Sequence, residues 1–243
     1  MQKAWYEEWF DSPYYHILYK DRNVKEAQAF IDQLLDVLEL QPPGRVMDLA
    51  CGHGRHSRYL AQKGFDVNGL DLSERSIQFA KVFESERLSF FKHDMRQPFR
   101  ENYYDAIFNF FTSFGYFERK EDDLKALKNV AAGLKKHALF VLDFLNASLI
   151  RQELQEQTVK TVEGIQFNIT RSIRNDFVLK DIHFSHQGHN FFFQEKVRLL
   201  TLSAFKPLLE QAGLELFHTF GNYQLAPFDE SKSPRLILIA KKS

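Results

Sequence analysis

Asp71 and Asp94 close two successive apolar runs, "DVNGLDL" and "LSFFKHD". The run before them, "RVMDLA", breaks at a turn of small residues that includes Ala50, Cys51, Gly52 and Gly54. Glycines at 52 and 54 let a ligand approach the backbone. The helix expected directly after them offers free N–H groups to anions and hydrogen-bond acceptors. Asp71 follows Gly54 by 17 residues, where an acid can accept from both ribose hydroxyls of an adenosine. Asp94 can accept from an adenine amino group. The spacing points to a nucleotide, and the turn alone does not say which. The dinucleotide pattern G-x-G-x-x-G wants a third glycine where this chain has Ser57.

Candidates for proton transfer lie further along. In "FFFQEKVRLL", Glu195, Val197 and Leu199 alternate with Gln194, Lys196 and Arg198, so the odd-numbered face sets Glu195 among apolar neighbours. A carboxylate there is suited to orient or deprotonate an amine or hydroxyl. His183 and His186 are the other candidate bases. On one strand His183 and His189 would share a face that His186 opposes, so no metal site is expected. His16 reads as a residue packed among aromatics, and Cys51 as a small lining residue of the turn.

The elements that must position these groups follow from periodicity. Ala27, Phe30, Ile31, Leu34, Leu35 and Leu38 form one apolar face of a helix over residues 24–40, which Asn23 and Glu26 would cap and "PPG" would end. "RVMDLA", "DVNGLDL", "LSFFKHD", "YDAIFNFF" and "ALFVLDFL" read as buried strands with helices between them, which predicts a parallel sheet covered on both faces. Ser73 should cap the helix after the second strand. From about 160 to 201 the helical rhythm stops. Three strand-like segments separated by Asn175-Asp176 and "QGHN" predict an inserted antiparallel meander. A helix at about 203–212, closed by Gly213, leads into two last strands, "LELFHTF" and "RLILIAK", expected to pair antiparallel.

Composition bounds the function. The 243 residues suffice for one large α/β domain with a buried core. Lys+Arg and Asp+Glu are both 32, so the formal charge is zero, which argues against a nucleic-acid partner. "MQKAWYEEWFDSPYY" carries acids and aromatics where a signal peptide would be apolar, and no long apolar run suggests a membrane span. The single cysteine excludes an internal disulfide. A cytoplasmic location is expected.

"VMDLACGHGRHSRYLAQKGFDVNGLDLS", "HDM" and "YDAIFNFFTSFGYF" together resemble the successive motifs of class I S-adenosylmethionine-dependent methyltransferases. "YYHILYKDRNVKEAQAFIDQLL" is similar to the lead-in helix of their small-molecule members. Asp48 fits this likeness: beside a pyrophosphate it would repel, whereas it suits a ligand with a cationic amine and sulfonium. The resemblance spans almost the whole chain and departs at Ala50, where the strictest motif has glycine. It implies a Rossmann-like, mostly parallel seven-stranded sheet with an inserted antiparallel β-meander, in a single domain over 1–243. It implies S-adenosyl-L-methionine as cofactor. Ala50, Cys51, Gly52 and Gly54 would line its methionine part, and Asp71 would hold the ribose with Leu72 against the adenine. Asp94 would accept from the adenine amine with Met95 beside the ring. Asn109, Phe110 and Phe111 would face the reactive end, with Tyr14 and Tyr19 closing over it. Residues 1–23 would form an aromatic cover, and 160–201 a lid or the surface for a homodimer. The expected reaction is methyl transfer to an oxygen or nitrogen of a small molecule. The alternatives are action on tRNA or another macromolecule, and a non-catalytic S-adenosylmethionine-binding module. An NAD-dependent oxidoreductase is disfavoured by Asp48 and Ser57.

Overall fold

In the computed structural model, which describes residues 4–20 and 24–243, the chain opens with two short helices, α1 (Trp5–Trp9) and α2 (Pro13–Leu18). Pro13 starts α2, and the Ser12 hydroxyl accepts from Tyr14 N at 3.2 Å. Tyr19 has left helical geometry, so the expected lead-in helix is two helices, α2 and then α3 (Val24–Val37). The cap expected of Asn23 lies outside the described residues. Strand β1 (Arg45–Leu49) feeds α4 (Arg55–Gln62), β2 (Asp66–Asp71) feeds α5 (Glu74–Lys81), and β3 (Leu88–Lys92) precedes β4 (Tyr104–Asn109). Helix α6 (Lys120–Gly133) runs into β5 (Leu134–Leu145), and a short α7 (Ala147–Gln152) follows.

The insert has four strands rather than three: β6 (Gln157–Val162), β7 (Ile165–Arg174), β8 (Phe177–His186) and β9 (His189–Arg198). The additional strand, β6, turns into β7 at Glu163-Gly164, both with positive φ; the three expected segments begin only after this two-residue hairpin signal and leave β6 out. Asn175-Asp176 and Gln187-Gly188 make the other two turns, with positive φ at all four residues. The chain closes with α8 (Leu202–Gln211), β10 (Leu214–Phe220) and β11 (Arg235–Lys242).

Seven strands form one sheet in the order β10-β11-β5-β4-β1-β2-β3, with β11 running antiparallel to its two neighbours and the others parallel. The order reverses between β1 and β4, so a crevice opens at their carboxyl ends. Apolar side chains fill both faces. Phe30, Leu34, Leu60 and Ile77 pack on one side, and Leu127, Val130, Phe205 and Leu209 on the other. Phe90 sets the fit of α4 on the sheet. A Cβ on Gly54 would lie 2.4 Å from its ring and one on Gly69 2.5 Å, so glycine at both positions lets helix and strand close around the phenyl group. No described helix is long and apolar enough to cross a membrane.

The four-stranded sheet is fastened at two places. Its inner face, with Phe167, Ile182 and Phe184, packs on Trp9 and Leu18 of the opening helices. At its far end Arg198, on the even-numbered face of the strand with Gln194 and Lys196, is buried. Its Nε donates to Asp123 Oδ2 at 3.1 Å, and Nη2 donates to the Phe117 and Glu118 carbonyls at 2.9 Å each. The cause is the start of α6, whose buried Asp123 and preceding carbonyls need a donor that this strand end supplies. Burial pushes the Asp123 carboxyl up to about 6, against the pull of Arg198.

Arg198→Met should therefore leave a buried carboxylate unpaired and lower unfolding free energy by about 3–5 kcal/mol. Arg198→Met combined with Asp123→Leu should recover most of the loss in urea titrations. A single variant as stable as the wild type would show that the clamp contributes nothing.

Candidate functional site

Two cavities meet at the carboxyl ends of β1 and β4. The first, about 410 Å³, runs along the β1–α4 turn and the ends of β2 and β3. The second, about 510 Å³, lies between the ends of β4 and β5 and the inner face of the four-stranded sheet. Phe10, Tyr15, Tyr19, Phe111 and Tyr116 belong to both walls and form the partition. Each volume falls within the roughly 300–1,000 Å³ of small-molecule sites.

The backbone is strained where these walls begin. Ala50, at the end of β1, has φ 61°, and Phe111 and Thr112, after β4, have φ 63° and 59°. Left-handed geometry at non-glycine residues costs of order 1–3 kcal/mol each and persists only where surroundings enforce it. Ala50 thus adopts the conformation that glycine would occupy in the strict form of the motif. At Phe111-Thr112 the enforcing group is Asp143, fully buried on β5. Its Oδ2 accepts from Phe111 N at 2.9 Å and its carbonyl from Thr112 N at 2.8 Å. Arg235 neutralises it at 2.7 Å and also donates to Thr112 Oγ1 at 2.8 Å.

The first cavity gathers most of the expected residues. Tyr19, Ala50, Cys51, Gly52, Asp71, Leu72, Asp94, Met95, Phe110 and Phe111 all line it. Asp71 accepts from Gly52 N and Ser73 N at 2.8 Å each. Burial raises its pKa against those donors. Beside the Gly52 Cα nothing lies within 4 Å of where a Cβ would point, so that side of the turn is open to a ligand. Burial alone would raise Asp94, but Arg96, 2.6 Å away, donates to both of its oxygens and holds it below its ordinary value.

Three expected residues stand elsewhere. Gly54 is not on the wall; it is the N-cap of α4 with φ 75°, pressed on Phe90. Asn109 is fully buried behind the wall, donating to the Leu49 and Ser113 carbonyls at 2.9 and 3.3 Å, because β4 is still a central strand there. Tyr14 points away from both cavities. It packs on Phe184 and Phe191, with its hydroxyl 3.0 Å from His186 Nδ1, since α2 turns that side to the four-stranded sheet. The opposite side of α2 brings Tyr15 and His16 to the cleft. His16 stacks on His53 at 3.6 Å, and His53 on Phe79 at 4.1 Å. Burial, then Arg75, lowers the His53 pKa. Arg55 and His56 also line the wall. Their place within the turn motif could have flagged them; Tyr116 had no local signal.

Among the candidate bases only Glu195 reaches a cavity. It lines the second one with Val197, accepts from Trp9 Nε1 at 2.8 Å and Tyr19 Oη at 2.7 Å, and pairs with Lys180 at 3.3 Å. The Lys180 ammonium also donates to Tyr19 Oη. His183 is exposed on the outer face of β8 against Phe192, because strand alternation turns it away from Ile182 and Phe184. His186 sits on Tyr14 at the hairpin end, outside both cavity walls. Asp48 is also off the wall, 1% exposed, and accepts from Ser57 Oγ at 2.6 Å. Ser57 thus fills the close helix–strand contact where a third glycine was considered. No group of three metal-ligating side chains converges among the described residues.

The methyltransferase domain family matches residues 19–219. YqeM of Bacillus subtilis (strain 168), provisionally named a methyltransferase, is 28% identical over 229 residues, covering 89% of this chain and 92% of that one. The crystal structure of an S-adenosylmethionine-dependent methyltransferase from Clostridium acetobutylicum ATCC 824 has the same fold, with TM-score 0.80 at 19% identity over 95% of this chain and 96% of that one. The S-adenosylmethionine-bound structure of CalS10, an amino pentose methyltransferase from Micromonospora echinaspora, matches with TM-score 0.73 at 16% identity, covering 96% and 98%.

Burial pushes the Asp48 carboxyl up to about 6, with Ser57 opposing. An acid whose folded value exceeds its unfolded value of about 4 holds its proton more tightly in the native state. Its contribution is therefore most favourable below pH ~4 and is lost as pH rises toward ~6. Asp48→Asn keeps an acceptor for Ser57 and removes the titration. Urea stability of the wild type should fall across this window by up to roughly 3 kcal/mol more than that of the variant. Identical pH slopes in the two proteins would contradict a protonated Asp48.

Proposed function

The chain belongs to the methyltransferase domain family, as a class I S-adenosylmethionine-dependent enzyme, and from that premise we propose that it methylates an oxygen or nitrogen of a small molecule seated in the second cavity. The observation that carries this reading is the pair of cavities sharing one aromatic partition. One chamber has the nucleotide-facing groups and the other has a carboxylate, as a two-substrate displacement requires.

The residues present fit the cofactor. Asp71 accepts from Gly52 N on one oxygen and Ser73 N on the other, and an ionised carboxylate has about four acceptor sites, so acceptor capacity remains for the ribose hydroxyls. Leu72 and Met95 offer apolar contact to the adenine, and Asp94 accepts from its amine beside Arg96. Ala50, Cys51 and Gly52 bring backbone to the methionine part, where Cα of Gly52 faces open space. When bound, the cofactor supplies an electrophilic methyl on a sulfonium, already a good leaving group. The protein's share is alignment and exclusion of water. Phe111 and Tyr19 hold the gap between the chambers, and α1, α2 and the four-stranded sheet wall off the acceptor side. Glu195, oriented by Trp9, Tyr19 and Lys180, receives the proton that an amine or hydroxyl nucleophile gives up. The walled chamber and the balanced charge favour a small acceptor over tRNA. CalS10, named for an amino pentose, supports the same class.

Two measurements test this. Asp71→Asn should weaken S-adenosylhomocysteine binding in calorimetry by about ten- to a thousand-fold, the value of two charge-assisted hydrogen bonds. Unchanged affinity would remove Asp71 from the cofactor site. Glu195→Gln should lower transfer of labelled methyl into a small-molecule extract by about 10²–10⁴-fold while leaving S-adenosylhomocysteine affinity within two-fold (~0.4 kcal/mol). Full turnover in this variant would exclude Glu195 as the base. Label found only in RNA or protein would overturn the acceptor class. Deleting the whole insert is a poorer test, because Arg198 and Val178 of the insert are buried against the main domain.

A further inference from the structure

The inner face of the four-stranded sheet carries one charged row between two apolar ones. Register places Ile169 opposite Ile182 and Ile182 opposite Phe193. One step on, Arg171 lies opposite Lys180, and Lys180 opposite Glu195. Beyond them come Ile173, Val178 and Val197. All three residues of the charged row line the second cavity.

The charges in this chamber do not balance. Lys180 is paired with Glu195 at 3.3 Å and Arg235 with Asp143 at 2.7 Å. Arg171 is half-buried and makes no ion pair among the described residues. Its Nη1 donates to two neutral oxygens, the Gln155 carbonyl at 3.2 Å and Thr158 Oγ1 at 2.9 Å. A guanidinium has five N–H donors in a planar fork, and the Nε and Nη2 edge, the one that matches a carboxylate or phosphate, has no partner among the described residues. Setting Arg171 directly across from a second cation is unfavourable by itself. Glu153, the remaining acid of the wall, is exposed at the rim and pairs with neither. A further donor waits in the same wall. The Trp5 indole N–H is buried and has no acceptor among the described residues. Polar groups shielded from water without partners are costly, and an acceptor seated in the chamber would satisfy both.

We infer that the second cavity takes an acceptor bearing an anionic group, a carboxylate or a phosphate, held bidentately on the Nε–Nη2 edge of Arg171. The inference rests on the methyltransferase reading and narrows its substrate class. Arg171 acts as a binding residue at the end of the chamber furthest along the row from Glu195. The ligand's charge is placed at one end of the row and its reacting atom beside Glu195 and Tyr19 at the other. An acceptor lacking the anion would leave the Arg171 guanidinium without a counter-charge, so the chamber discriminates against neutral analogues.

Acetate and inorganic phosphate are the probes, titrated into the S-adenosylhomocysteine-saturated protein and followed by calorimetry or by tryptophan fluorescence. At least one should bind, and Arg171→Gln should weaken it ten-fold or more. Arg171→Lys, which keeps the charge and loses the fork, should fall between. Preference for phosphate or for acetate then identifies the source of the anion. S-adenosylhomocysteine affinity should be unchanged in both variants, which establishes that they fold. Binding of neither anion, or equal binding by wild type and Arg171→Gln, overturns the inference. Methyl transfer gives the second readout. Labelled product from a small-molecule extract should be retained on an anion exchanger, and Arg171→Gln should raise its KM with little change in kcat. Labelled small molecules that pass unretained overturn the anionic class and leave the small-molecule reading intact. Label confined to macromolecules overturns both.

Discussion

The Asp71 carboxylate is the point on which the cleft hangs. One oxygen takes the Gly52 N–H and the other the Ser73 N–H, so a single side chain joins the turn after β1 to the cap of α5. Ser73 passes the connection on. Its hydroxyl accepts from Ser76 N at 3.0 Å and donates to Asp11 Oδ1 at 2.8 Å. Asp11, between the two opening helices, also accepts from Arg75 N at 3.0 Å, where the α5 dipole favours a negative charge. The loop between the two opening helices, the glycine turn and the second strand are thus held in one chain of hydrogen bonds. Desolvation raises the carboxyl's pKa while the backbone donors oppose it.

A second constraint is the way charge is distributed on the inserted sheet. Apolar rows pack at both ends, against Trp9 and Leu18 on one side and toward the main domain on the other. Between them the row of Arg171, Lys180 and Glu195 is left over a cavity rather than in contact with a core. The Lys180 and Glu195 side chains are 15% and 17% exposed, shielded enough for their hydrogen bonds to fix a geometry. Tyr19 joins this row to the first cavity through its hydroxyl. The opening segment and the stretch after β4 therefore build the partition together, with the insert facing it across the second cavity.

Strain is stored at the same partition. Phe111 and Thr112 are held left-handed by Asp143, which is itself neutralised by Arg235. Burial, reinforced by Asp143, raises the pKa of Tyr223, whose hydroxyl donates to Asp143 at 3.1 Å. Phe111 and Thr112, on the wall between the two cavities, are thus fixed by a buried ion pair on β5 and β11. Nothing in "TSFGYF" itself requires that conformation.

What the amino-acid sequence determined is whatever local physics encodes. Short, near-continuous apolar runs placed the seven strands, small residues placed the turn after β1, and the ends of those runs placed Asp71 and Asp94 in the cleft. The hairpin pairs Asn175-Asp176 and Gln187-Gly188 marked the insert, while the same signal at Glu163-Gly164 was passed over and cost a strand. Tertiary structure alone decided which side chains meet. Tyr14 and Tyr15 are neighbours in sequence, yet α2 turns one to the inserted sheet and the other to the cleft. Tyr19 and Glu195 bond across 176 residues. Arg171, Lys180 and Glu195 form a row only because two hairpin registers align them. Arg198 is drawn inward by an acid on a distant helix. Such contacts depend on register and on packing between remote elements, and no local period carries that information.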